Sequence, residues 1–84
     1  MSKTIIDVRT RAEFAGGHVA GSVNIPLQEI TSRIEEIKAM AQPIIFCCAS
    51  GNRSGQATHY FQSIGVDCQN GGSWMEVNYL VAQN

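Results

Sequence analysis

Ile44-Ile45-Phe46-Cys47-Cys48-Ala49-Ser50-Gly51-Asn52-Arg53-Ser54 passes from an unbroken apolar run to a run of small and polar residues. The first part, Ile44 to Cys47, reads as a strand buried on both faces, the kind found inside a parallel sheet. The second part is a polar loop from Cys48 to Arg53. After it, Ser54 to Ile64 places Ala57, Phe61 and Ile64 at helical spacing, and Gly65 is well placed to end that helix. The stretch is therefore strand, loop and helix, with a thiol where the strand gives way to the loop.

The same alternation runs in both directions from this unit. Upstream, Thr4 to Val8 is short and β-branched and reads as a strand. Thr10-Arg11-Ala12-Glu13 has the form of a capping box, opening a short helix that ends near Gly16-Gly17. Gly21 to Ile25 gives a second short strand, followed by Pro26. From Leu27 to Met40 the apolar residues Leu27, Ile30, Ile34, Ile37 and Met40 mark one face of a helix, with Glu29, Arg33, Glu35, Glu36 and Lys38 mostly off it. Gln42-Pro43 breaks that helix. Downstream, Val66 to Gln69 reads as a strand and Asn70-Gly71-Gly72 as a turn. Ser73-Trp74-Met75-Glu76 forms a second capping box that opens a final helix toward Leu80. Strand and helix alternate throughout. This predicts an α/β fold: a small, mostly parallel β-sheet flanked by helices on both faces, as one domain over residues 1–84.

Composition narrows the function classes. The 84 residues suffice for one domain, and 44% hydrophobic with 15% charged residues describes a compact globular chain. The net charge of -1 and the lack of a basic run argue against nucleic acid or an anionic membrane as partner. No apolar stretch is long enough to span a bilayer. Met1-Ser2-Lys3-Thr4 leads straight into an apolar strand without the features of a signal peptide, which predicts a cytoplasmic protein, with the mature form of an exported one as the alternative. The three cysteines, Cys47, Cys48 and Cys68, are odd in number. They suit no disulfide framework, and no Cys/His spacing suits a zinc site.

In open parallel sheets, sites form beyond the carboxyl ends of the strands, where Cys48 stands. The small residues of the loop let several backbone N–H groups turn toward the sulfur. The helix behind them presents the positive end of its dipole, and Arg53 adds a full charge. Together these favour thiolate over thiol. A nucleophile and an anion cradle in one loop describe transfer of a group from an anionic donor. Cys47, inside the apolar run, reads instead as a small hydrophobe.

Three segments together resemble the single-domain rhodanese-like sulfurtransferases. Asp7-Val8-Arg9 through Glu13-Phe14, Gly17-His18 and on to Ile25-Pro26 is similar to their first signature. Cys48-Ala49-Ser50-Gly51-Asn52-Arg53-Ser54 resembles their active-site loop, and Gly71-Gly72-Ser73-Trp74 their closing motif. The resemblance implies that Cys48 is catalytic and that Ala49, Ser50, Gly51, Asn52, Arg53 and Ser54 bind substrate. Cys48 would take the outer sulfur of a small anionic donor such as thiosulfate and hold it as a persulfide. A thiol or cyanide acceptor would then remove it, with no metal or organic cofactor. The family usually has an extra strand and helix before the Asp-x-Arg motif. Their lack here predicts an exposed edge or face, and a monomer or weak dimer.

The other polar residues read as structural. Asp7, beside Arg9, is expected to hydrogen-bond near the Gly17-His18 turn. His18 is expected to be satisfied within that turn, His59 exposed, and Trp74 packed near the site wall. Cys68 reads as a packed residue, with a resolving thiol as the alternative. Four residues separate Cys48 from Arg53, against five in Cys-based phosphatases, so the tighter loop suits one sulfur atom better than a phosphoryl group. A phosphatase or arsenate reductase-like enzyme, and a non-catalytic interaction module, are the competing readings.

Overall fold

A computed structural model of the chain describes residues 3–83. Met1 and Ser2, part of the segment read for a signal peptide, lie outside the described residues, as does Asn84. Four strands form one sheet: β1 (Thr4–Asp7), β2 (Val23–Asn24), β3 (Ile44–Cys48) and β4 (Cys68–Ser73). Their order is β2-β1-β3-β4 and all pairings are parallel. The helices are α1 (Arg11–Ala15), α2 (Ile34–Lys38), α3 (Asn52–Ser63) and α4 (Trp74–Ala82). The predicted α/β fold, with a parallel sheet flanked by helices, is the fold observed. Among the described residues no helix is long and apolar enough to cross a membrane.

Strand alternation divides the core. One face carries Ile6, Val8, Ile44, Phe46 and Cys48, packed with Ile37, Ala57 and Phe61. Phe46 and Phe61 stack there with ring centroids 5.5 Å apart, which adds about 0.5–1.5 kcal/mol beyond their burial. The other face carries Cys47 with Val19 and Val77, and Ile5, Ile45 and Trp74 pack around them. Here α4 is the main cover, and Met75 and Tyr79 on it stay 64% exposed. A groove of about 310 Å³ opens on this side, lined by Ile5, Ile45, Gly71 and Val77 among others. It lies on the Cys47 face and not over Cys48.

Three local expectations are corrected. The segment from Leu27 to Met40 is not one helix: a 3-10 helix spans Leu27–Ser32, and α2 begins at Ile34. Arg33 breaks the path at φ -126, and its amide donates to the Ile30 carbonyl in a three-residue turn. Asn70-Gly71-Gly72 is not a turn but part of β4, which extends to Ser73. The register jumps there: Phe46 pairs with Asn70 and Cys47 with Gly72, leaving Gly71 as a bulge. A Cβ on Gly71 would stand 2.7 Å from Val77 Cγ2 and 2.8 Å from Ile45 Cγ2, so the close packing there requires glycine. Finally, β3 includes Cys48, which pairs with Ser73.

Candidate active site

The Cys48 sulfur lies where the end of β3, the loop and the start of α3 meet. Gly51 allows the turn, with φ +97, a region open to residues without a side chain. Its amide donates to Cys48 Sγ at 3.0 Å. The Ser54 amide in the first turn of α3 donates at 3.4 Å, and the Ser54 hydroxyl lies 3.3 Å from the sulfur. Burial pushes the thiol pKa up. The Ser54 hydroxyl and the amides of Ser54, Ser50 and Gly51 more than offset this, so the net shift is downward. The predicted cradle of N–H groups is therefore present. The residue has no exposed surface, whereas Ala49, Ser50 and Asn52 in the loop above it are exposed. Asn52 faces outward, its Oδ1 accepting from Gln56 Nε2.

Adjacent Cys47 has the opposite environment. Burial, and then the Asp7 carboxylate, push its thiol up to about 12. Cys68 also stays high, mainly through burial, and its Sγ donates to the Thr58 carbonyl. Cys68 pairs with Ile44 and Cys48 with Ser73, so the two thiols sit at opposite ends of the strand pair. Four residue steps separate them, about 13 Å along the strand. The packed reading of Cys68 fits this geometry, and the resolving-thiol alternative does not.

Arg53 differs from expectation. Its guanidinium does not hydrogen-bond to the sulfur. It forms a two-pronged ion pair with Glu13 of α1, Nη1 to Oε1 at 2.8 Å and Nη2 to Oε2 at 3.1 Å. Glu13 also accepts from the Thr10 amide, completing the capping box of α1. The Arg53 pair first, then that amide, hold the Glu13 carboxyl down at about 2. Sequence reading missed Glu13 as a site residue because capping already explained it.

Asn70 was missed as well. Its Oδ1 accepts from the Ser54 hydroxyl at 2.7 Å and from the Gly72 amide at 3.0 Å. Its Nδ2 donates to the Gly51 carbonyl at 3.0 Å. One side chain on β4 thereby fastens both groups that hold the sulfur. The available signal was a polar residue at the carboxyl end of the strand beside the thiol strand.

Asp7 is fully buried and receives Arg9 Nε at 2.9 Å and Nη2 at 2.7 Å. The tie to the Gly17-His18 turn is made by Arg9, whose Nη2 donates to the Gly17 carbonyl at 2.7 Å. Trp74, expected at the site wall, lies instead on the Cys47 face of the sheet, opposite Cys48, because it opens α4, which covers that face; its ring centroid is 4.8 Å from the Arg9 guanidinium carbon. His18 is exposed, stacked on Phe14 with its Nδ1 2.7 Å from the Phe14 carbonyl, and His59 is exposed.

Comparison with known proteins agrees with this fold. The profile of the rhodanese-like domain matches residues 1–77, and the chain belongs to that family. It is similar to an uncharacterized protein, YqhL, of Bacillus subtilis, 39% identical over 73% of this chain and 48% of that protein. It is also similar to human thiosulfate:glutathione sulfurtransferase, 32% identical over 73% of this chain and 64% of that protein. The chain thus spans about half to two thirds of the length of these relatives. A rhodanese-related protein of Thermoplasma volcanium superposes with a TM-score of 0.80 at 25% identity, covering 95% of this chain and 79% of that one.

Proposed function

We propose that the protein is a sulfurtransferase that moves one sulfane sulfur through a persulfide on Cys48. The observation that carries this is the pair of backbone donors on Sγ, the Gly51 amide at 3.0 Å and the Ser54 amide at 3.4 Å, with the Ser54 hydroxyl in contact at 3.3 Å. They favour the thiolate and hold the thiol pKa below its ordinary value, and the same groups suit the negative outer sulfur of a persulfide.

In the first step the Cys48 thiolate attacks the outer sulfur of thiosulfate or a persulfide. The new bond joins Sγ to that sulfur. The donor's own bond to it breaks, and sulfite or a thiolate leaves with the electron pair. In the second step a thiol or cyanide attacks the carried sulfur and Cys48 leaves as thiolate. No net oxidation occurs, and the low pKa of Cys48 serves both attack and departure. Since Cys48 has no exposed surface, groups around the sulfur have to move for the donor to reach it.

Intact mass after incubation with thiosulfate tests the proposal. The wild type is expected to gain one sulfur, lost again on adding cyanide with formation of thiocyanate, and Cys48→Ser to gain none. Equal gain by both proteins would sink the mechanism. Hydrolysis of an aryl phosphate that needs Cys48, without sulfur transfer, would favour the phosphatase reading.

A further inference from the structure

The lysines and arginines of the chain are Lys3, Arg9, Arg11, Arg33, Lys38 and Arg53. Arg9 is taken by Asp7, Arg11 by Glu29, and Arg33 by Glu36 and Glu29. Lys3 precedes β1, at the end of the sheet away from the site, and Lys38 closes α2. Arg53 alone belongs to the loop around Cys48, and both arms of its fork are held by Glu13. A second carboxylate, Glu76, stands in the first turn of α4 against Ser73, the residue paired with Cys48. The loop therefore offers an anion its amides and helix end, but no cation free of a carboxylate.

We infer that Glu13 is a specificity-determining residue, whose carboxylate neutralises Arg53 and so disfavours compact dianionic sulfur donors relative to singly charged ones. The inference rests on the sulfurtransferase reading and deepens it. Thiosulfate carries two charges on one small group and would have to draw Arg53 away from Glu13. An alkyl persulfide brings one charge, spread over the sulfur that is transferred, and the amides around Sγ suit it without help from Arg53. With such a donor the Sγ–S bond forms, the alkyl-S–S bond breaks, and the alkyl thiolate leaves with the pair and takes a proton from water. Glu13 lies at the rim, and its side chain is 37% exposed, so its influence is partly screened.

The test compares wild type with Glu13→Gln, which keeps an acceptor for the Thr10 amide and removes the charge. Glu29→Gln serves as a control for loss of a surface carboxylate elsewhere. The rate at which Cys48 gains one sulfur is measured by intact mass, over a range of donor concentrations. The donors are thiosulfate and the persulfide of 2-mercaptoethanol. Glu13→Gln is expected to speed loading from thiosulfate about five- to tenfold, mostly through tighter half-saturation, and to change loading from the persulfide less than twofold. The gain should shrink in high salt, which a purely structural role would not produce. Glu29→Gln should leave the ratio of the two donors unchanged. If Glu13→Gln loads from both donors with the wild-type ratio, or favours thiosulfate less, the inference is overturned while the sulfur-transfer reading stands. If neither donor loads either protein, the sulfur-transfer reading fails and takes this inference with it.

Discussion

Cys47 and Cys48 are neighbours in the chain, yet their side chains project to opposite faces of β3 and meet opposite electrostatics. Cys48 meets amides and a hydroxyl. Cys47 meets an apolar cluster with the Asp7 carboxylate nearby, and its thiol is held at about 12. Alkylation with iodoacetamide, followed by mass spectrometry across pH, should therefore modify Cys48 first, with an inflection below the ordinary cysteine value. Cys47 should remain unmodified while the protein is folded. Modification of both at similar rates would contradict this placement.

Ser54→Ala removes the hydroxyl in contact with Sγ and leaves Asn70 Oδ1 with one partner fewer. The Cys48 inflection should move up, and loading with sulfur near neutral pH should slow. The sign for stability follows. A depressed folded pKa stabilises the fold above the unfolded cysteine pKa, and that contribution is lost as pH falls through the folded value. Ser54→Ala should diminish it. Loss of the hydrogen bond itself should cost about 1 kcal/mol in denaturant unfolding.

Asp7→Ala leaves the Arg9 guanidinium buried without its carboxylate. Breaking a buried pair in this way costs about 3–5 kcal/mol. In a chain of 84 residues that is a large share of total stability. Urea titration should show a much lower midpoint or a chain already unfolded. A midpoint equal to wild type would refute a structural role for the pair.

Gly71→Ala forces a Cβ into Val77 and Ile45 at the bulge. Overpacking of this kind costs about 1–3 kcal/mol. Because Asn70 directly precedes the bulge and holds Ser54 and Gly51, the Cys48 inflection should shift along with the stability. A stability loss with an unchanged inflection would separate the bulge from the site.

Carboxyl NMR should find Glu13 titrating near 2, against an ordinary 4.5. Its contribution to stability is present above the ordinary value and fades as pH falls from there toward 2. In Arg53→Ala the titration should rise toward the ordinary value, held part-way by the Thr10 amide.

The alternation of strands and helices, the Thr10 capping box and the choice of Cys48 over Cys47 were all legible, because each depends on near neighbours in the chain. The pairing of Arg53 with Glu13 spans 40 positions, and no local pattern signals it. Asn70 was hidden for a related reason: Asn-Gly-Gly looks like a turn unless a neighbouring strand supplies partners. Between Leu27 and Ile37 the apolar spacing fits a 3-10 turn followed by an α-helix as well as one helix. Only the packing against the sheet decides between them. The sequence therefore pointed to Cys48 and to the backbone amides around it, but not to Glu13 and Asn70, the side chains that hold the loop in place.

Because every strand is parallel to its neighbours, no two adjacent strands are joined by a tight hairpin. The surroundings of one sulfur draw on β3, α3 and β4, and the loop's only cation is fixed from α1. No short fragment can assemble them. The acidity of Cys48 is therefore a property of the whole fold, and a mild thiol reagent becomes a gauge of nativeness. In the unfolded chain all three cysteines would answer it alike, and only the complete architecture singles one out.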